Sequence, residues 1–140
     1  MIGATWNLRG IGKIEKQRFL RETLIEKRID FIGLQETLKS DFSAQDLANI
    51  DNKQLFLWHW SALKGRSGGI LVGIRKSTFD VHEHQSSDHF VRILLTDKIL
   101  KFRWNLVIVY GAAQNEGKVD FLTDWSHMCH DSKVPLLVGR

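Results

Sequence analysis

Apolar positions along this chain switch between two periods, and the switches mark its elements. Ile2 to Trp6 is a short apolar run broken by Gly10 and Gly12, which predicts a buried strand. From Ile14 to Arg28 the period becomes helical. Leu20 and Leu24 sit four apart with Phe19 and Ile25 beside them, while Arg18, Arg21, Glu22, Glu26 and Lys27 fill the other face. Asp30 to Leu34 is a second apolar strand, so the chain opens strand-helix-strand. Ser43 to Ile50 predicts a short helix with Ser43 as its N-cap.

Strands then dominate. Leu55 to Trp60 is aromatic-rich, and Gly69 to Ile74 follows a Gly-rich loop. Phe79 to His84 and Phe90 to Leu95 alternate. Phe102 to Tyr110 places Trp104, Leu106, Ile108 and Tyr110 on one face, after a turn at Asp97-Lys98. Val119 to Cys129 returns to helical spacing, with Leu122, Trp125 and Cys129 on one stripe. Pro135 opens a last apolar strand, Val134 to Val138.

Composition narrows the class. The chain has 140 residues, 43% hydrophobic and 26% charged, which suits one globular domain. A net charge of +4 suits an anionic partner or simply a mildly basic surface. The single cysteine, Cys129, excludes an internal disulfide and fits a reducing, intracellular setting. No apolar run reaches membrane-spanning length, and no secretory signal pattern opens the chain. Met1 leads straight into a strand, so the domain is expected to begin here. It ends on an apolar strand with no following partner, so it is expected to lack a C-terminal part, leave strand edges open and self-associate.

Three strands end in polar groups. Asn7 offers an amide oxygen to a metal or an amide donor to phosphate, and equally serves as a turn residue. Glu36 is a carboxylate suited to a hard cation such as magnesium, although a carboxylate there also serves as a solvated or capping group. Tyr110, the only tyrosine, is a phenolic donor or a half-buried rim residue. Metal-assisted phosphate ester hydrolysis needs a metal clamp, donors on the phosphoryl oxygens and a base for water. The clamp and donors are here; a base is not evident.

The wording and order add to this. Trp6-Asn7-x-Arg9-Gly10, Gln35-Glu36-Thr37, Gly65-Arg66-Ser67-Gly68-Gly69-Ile70 and Val109-Tyr110-Gly111 together resemble the endonuclease/exonuclease/phosphatase superfamily. They are closest to the endonuclease domain of plant LINE-type (non-LTR) retrotransposons. The resemblance runs from Ile2 to Gly139. It implies an α+β fold, a four-layer α/β/β/α sandwich of DNase I type that is C-terminally truncated here. It implies that Glu36 is the magnesium (or manganese) ligand, with Asn7 beside metal and phosphate and Tyr110 in the catalytic network. Arg66 and Ser67 become candidate phosphate contacts on a tight loop, Arg66 otherwise being a surface charge on a turn.

The implied reaction is nicking of DNA, in a nucleus, by a domain that a reverse transcriptase domain would follow in a longer polyprotein. Two motifs that complete the family's site, G-D-F-N after the last strand and a C-terminal S-D-H, are not in their places, so the chain is expected to be inactive as written. A non-enzymatic remnant that binds nucleic acid weakly, and a small-phosphoester phosphatase, are the alternatives. Ser87-Asp88-His89 spells S-D-H but precedes Tyr110, and is expected to be a chance match. His82 and His84, two apart on a strand, are expected to share a face, forming with Glu83 and His89 a solvated edge rather than a zinc site. Arg9, Lys13, Lys16, Arg18 and Arg21 could follow a DNA backbone, but interleaved Glu15 and Glu22 favour a solvated helix face.

Overall fold

A computed structural model describes residues 1–64, 67–110 and 135–139. The described elements run β1 (Gly3–Asn7), α1 (Ile14–Glu26), β2 (Phe31–Gln35), α2 (Ala44–Ile50), β3 (Phe56–Lys64) and β4 (Ser67–Arg75). Then come β5 (Phe79–Ser86), β6 (Phe90–Asp97), β7 (Arg103–Val109) and β8 (Leu136–Gly139). They form two four-stranded sheets, ordered β1-β2-β4-β3 and β5-β6-β7-β8. The helix expected over Val119 to Cys129, and with it the fourth layer, lies outside the described residues.

Each layer follows from periodicity. In α1, Leu20 and Leu24 are both buried, because a four-residue step returns to the same helix face. They pack with Ile50 of α2 on Ile32 and Leu34 of β2 and Leu71 of β4. On the other side of the first sheet, Phe31, Ile70, Val72 and Ile74 meet Val91, Ile93, Leu95, Trp104, Leu106 and Ile108. β2 is buried on both faces, as a central strand between helices and a second sheet must be. Ser43 caps α2 as expected: its side chain accepts from Asp46 N–H, and the Asp46 carboxylate accepts from Ser43 N–H.

Two glycines let the layers approach. A Cβ on Gly33 would lie 2.4 Å from Ile108 Cδ1, so β2 and β7 meet closely only because residue 33 has no side chain. Gly73 makes the same room for the Trp58 ring on the helix side. Among the described residues β1 and β8 are each an edge strand of their sheet, and they flank a groove of about 290 Å³ lined by Gly3, Thr5, Phe31, Leu106, Leu137 and Gly139. No helix among the described residues is long and apolar enough to cross a membrane.

One strand departs from plain alternation. The β5–β6 register shifts between Val81 and Glu83, a bulge that leaves His82 outside the pairing. His82 Nε2 lies 2.5 Å from Thr96 Oγ1, whereas His84 pairs with Ile93 and stacks on His59 of β3, ring centroids 4.5 Å apart. The two histidines therefore do not share a face. The extra residue resets the two-residue period that the sequence pattern assumes.

Candidate active site

The polar strand ends converge at one end of the sandwich. β1 and β2 are parallel, with Asn7 opposite Gln35, so both chains leave their strands side by side. The segment after β2 is held from two directions. Gly10 N–H donates to Glu36 O at 2.7 Å and Ile11 N–H to Thr37 O at 3.1 Å. From the other side, Thr37 N–H donates to Gly69 O at 3.1 Å and Leu38 N–H to Gly68 O at 3.2 Å. These bonds hold Glu36 and Leu38 at φ of 53° and 58°, conformations a free chain would seldom choose.

Gly69 is the counterpart of that strain. Its φ is +89°, and a Cβ there would stand 2.3 Å from Thr37 Oγ1, in a region closed to L side chains. Thr37 itself is 1% exposed, and its hydroxyl is buried without a hydrogen-bond partner among the described residues.

The second sheet supplies Tyr110. Its N–H donates to His89 O at 2.8 Å, and its ring lies over Gly68. Its hydroxyl donates to Glu36 Oε1 at 3.0 Å. The residues before each of these also meet, since Gln35 Nε2 donates to Val109 O at 2.7 Å. Two consecutive residues of β2 and its exit thus bond two consecutive residues of β7 and its exit.

The other sequence candidates fall in different places. Asn7 is exposed, and its Oδ1 accepts from Arg9 N–H at 3.2 Å; it is a turn residue that also stands beside the Glu36 strand end. Arg66 lies outside the described residues, and Ser67 opens β4 opposite Lys64. Of the basic run, Lys16 donates to Gly10 O and Leu8 O and Arg21 to Asn49 O, so these two brace the fold. Ser87-Asp88-His89 forms the β5–β6 turn. There the Ser87 hydroxyl accepts from His89 and Phe90 N–H, and Ser87 O accepts from the Ser61 hydroxyl.

Sequence reasoning quoted Gln35 and Thr37 as motif letters without giving them roles. The signal for Gln35 was its phase, since Phe31, Gly33 and Gln35 share the face toward the second sheet. Asp51 was also missed. It is the one buried carboxylate among the described residues, and it accepts from Leu55 N–H, Phe56 N–H and Trp58 Nε1. Its oxygens are consumed in structure, so it is no candidate base.

Among the described residues, no group of three or more His, Cys, Asp or Glu side chains could hold a metal. One half-buried carboxylate just past a strand end, beside the end of the neighbouring strand at Asn7, nevertheless fits a hard cation that keeps most of its waters. Glu36 Oε1 takes the tyrosine hydrogen bond, and Oε2, which takes none among the described residues, is the oxygen such a cation would meet.

A family model described as the endonuclease/exonuclease/phosphatase family matches residues 4–138. The chain belongs to that family. Members are generally dependent on divalent metal. The solved structures it resembles share its fold at low identity. Human Nocturnin's catalytic domain, with bound sulfate, is 14% identical over 95% of this chain and 60% of that one, with a TM-score of 0.65. D. rerio TDP2 complexed with a single-strand DNA product is 15% identical over 96% and 56%, at 0.68. A Bacteroides thetaiotaomicron mannosyl-6-phosphatase is 14% identical over 97% and 62%, at 0.63. The chain thus spans about 60% of the length of these structures. No curated protein matches it. The two-sheet architecture is that of the DNase I-like members of the endonuclease/exonuclease/phosphatase family.

Proposed function

We propose that this chain supplies the N-terminal part of a divalent-metal phosphodiesterase site that cleaves DNA, of the LINE-type retrotransposon class. The observation that carries the reading is the Tyr110 hydroxyl on the Glu36 carboxylate, which joins the two sheets where their strands end. The retrotransposon assignment rests on the wording of Trp6 to Gly10 and Gly65 to Ile70. DNA as substrate, nuclear access and a following reverse transcriptase domain belong to the same proposal.

In this reading Glu36 holds magnesium (or manganese), which when bound neutralises charge on the phosphoryl oxygens. Tyr110 keeps the carboxylate aimed, and the Asn7 amide is the proposed donor to a phosphoryl oxygen. Arg66 is the further phosphate contact of this proposal, with Ser67 beside it. The water-activating base is not identified among the described residues.

The test has two stages. Manganese titration of residues 1–140 should show binding that Glu36→Ala abolishes. Plasmid nicking by the protein read through the full frame should require magnesium and Glu36. Binding without nicking, together with release of phosphate from small phosphoesters, would favour a phosphatase, a reading that the fold shared with the mannosyl-6-phosphatase keeps open. No metal binding at all would leave a non-enzymatic remnant.

A further inference from the structure

We infer that Gln35 is a positioning residue for the Tyr110–Glu36 pair, acting through the peptide bond that precedes Tyr110. This rests on the proposed metal role of Glu36. Gln35 is 6% exposed, a polar side chain on the inward face of a strand whose other inward residues are Phe31 and Gly33. An amide is expensive to bury there unless it is bonded. Its Nε2 donates to Val109 O at 2.7 Å.

That carbonyl belongs to the Val109–Tyr110 peptide. The N–H of the same peptide donates to His89 O at 2.8 Å. The peptide is therefore gripped at both ends, its oxygen by one sheet and its nitrogen by the β5–β6 turn. With its plane fixed, the position of the Tyr110 Cα and the axis of its N–Cα bond are fixed, so only φ and the side-chain torsions remain to carry the phenol. The phenol then reaches Glu36 Oε1, on the residue that follows Gln35. The closed circuit runs Gln35, Val109, Tyr110, Glu36. Glu36 is independently anchored, since Gly10 N–H holds its carbonyl at 2.7 Å. Gln35 touches neither cation nor substrate; it sets where the tyrosine hydroxyl stands.

Only one tyrosine is present, so a ¹³Cζ-tyrosine label gives a single resonance that reports the hydroxyl's hydrogen bond. Gln35→Met keeps length and volume and removes the donor. It should shift or broaden that resonance in the way Glu36→Ala does, and weaken manganese binding about 10-fold, the lower end of the range for residues that orient metal ligands. In a Tyr110→Phe background, Gln35→Met should weaken manganese binding no further, because the route through the hydroxyl is already gone. An unchanged resonance, or the same loss of affinity in both backgrounds, would overturn the inference.

Should Gln35→Met fail to fold, the unaltered chain still decides. The Gln35 side-chain amide protons should exchange slowly with solvent and show a through-space contact to Val109; fast exchange would overturn the idea. If Glu36→Ala leaves manganese binding unchanged, the metal reading fails, and the tyrosine resonance still judges the positioning.

Discussion

The Tyr110 hydroxyl donates to Glu36 Oε1 at 3.0 Å across 74 residues of sequence, joining the exit of β7 to the exit of β2. Removing the donor frees the carboxylate to rotate and leaves one oxygen without its partner. Tyr110→Phe should therefore weaken manganese binding by about 10-fold or more, with Glu36→Ala abolishing it. Calorimetric titration of residues 1–140 checks both, and equal affinities for Tyr110→Phe and the unaltered chain would refute the first.

Gly69→Ala should destabilise the chain by about 1–3 kcal/mol, since it strains a residue at φ +89° and pushes a methyl group toward Thr37 Oγ1. Urea unfolding measures it. The complementary change, Thr37→Val, replaces an unpartnered buried hydroxyl with a methyl of similar shape. It should be neutral or stabilising by up to about 1 kcal/mol.

Gly33→Ala tests the spacing of the sheets. Its methyl would overlap Ile108 Cδ1 and cost about 1–3 kcal/mol. Ile108→Val removes that Cδ1, so the double variant should recover part of the loss. Strict additivity of the two changes in denaturant melts would show that the contact is not shared.

Burial, and after it the neighbouring His84, hold His59 below the usual histidine range. The unfolded chain then takes up this proton at a higher pH than the folded one. The contribution is present above about pH 6.5, the ordinary histidine value, and is lost as pH falls toward the depressed folded value. Thermal midpoints should drop on acidification through that window, and less so in His59→Phe. A parallel drop in both proteins would exclude His59 as the source.

Much of this was legible in the order of residues. Leu20 and Leu24 on one stripe, the Ser43 cap and the apolar run of β2 are local signals, and local sterics and solvent alone decide them. The motifs likewise pointed to Asn7, Glu36 and Tyr110, because chemistry at strand ends needs particular side chains. Where local rules failed, a neighbour had intervened. The bulge at His82 depends on β6, which fixes the register of β5 and sends His82 and His84 to different faces.

The sequence by itself determined the elements, the family and the candidate ligand, since periodicity and motif wording act over a few residues. Only the tertiary structure decided that Gln35 grips Val109, that Tyr110 reaches Glu36, and that Gly69 makes room for Thr37. Those contacts join residues tens of positions apart. They exist only once two sheets pack closely enough to leave each polar group one available partner.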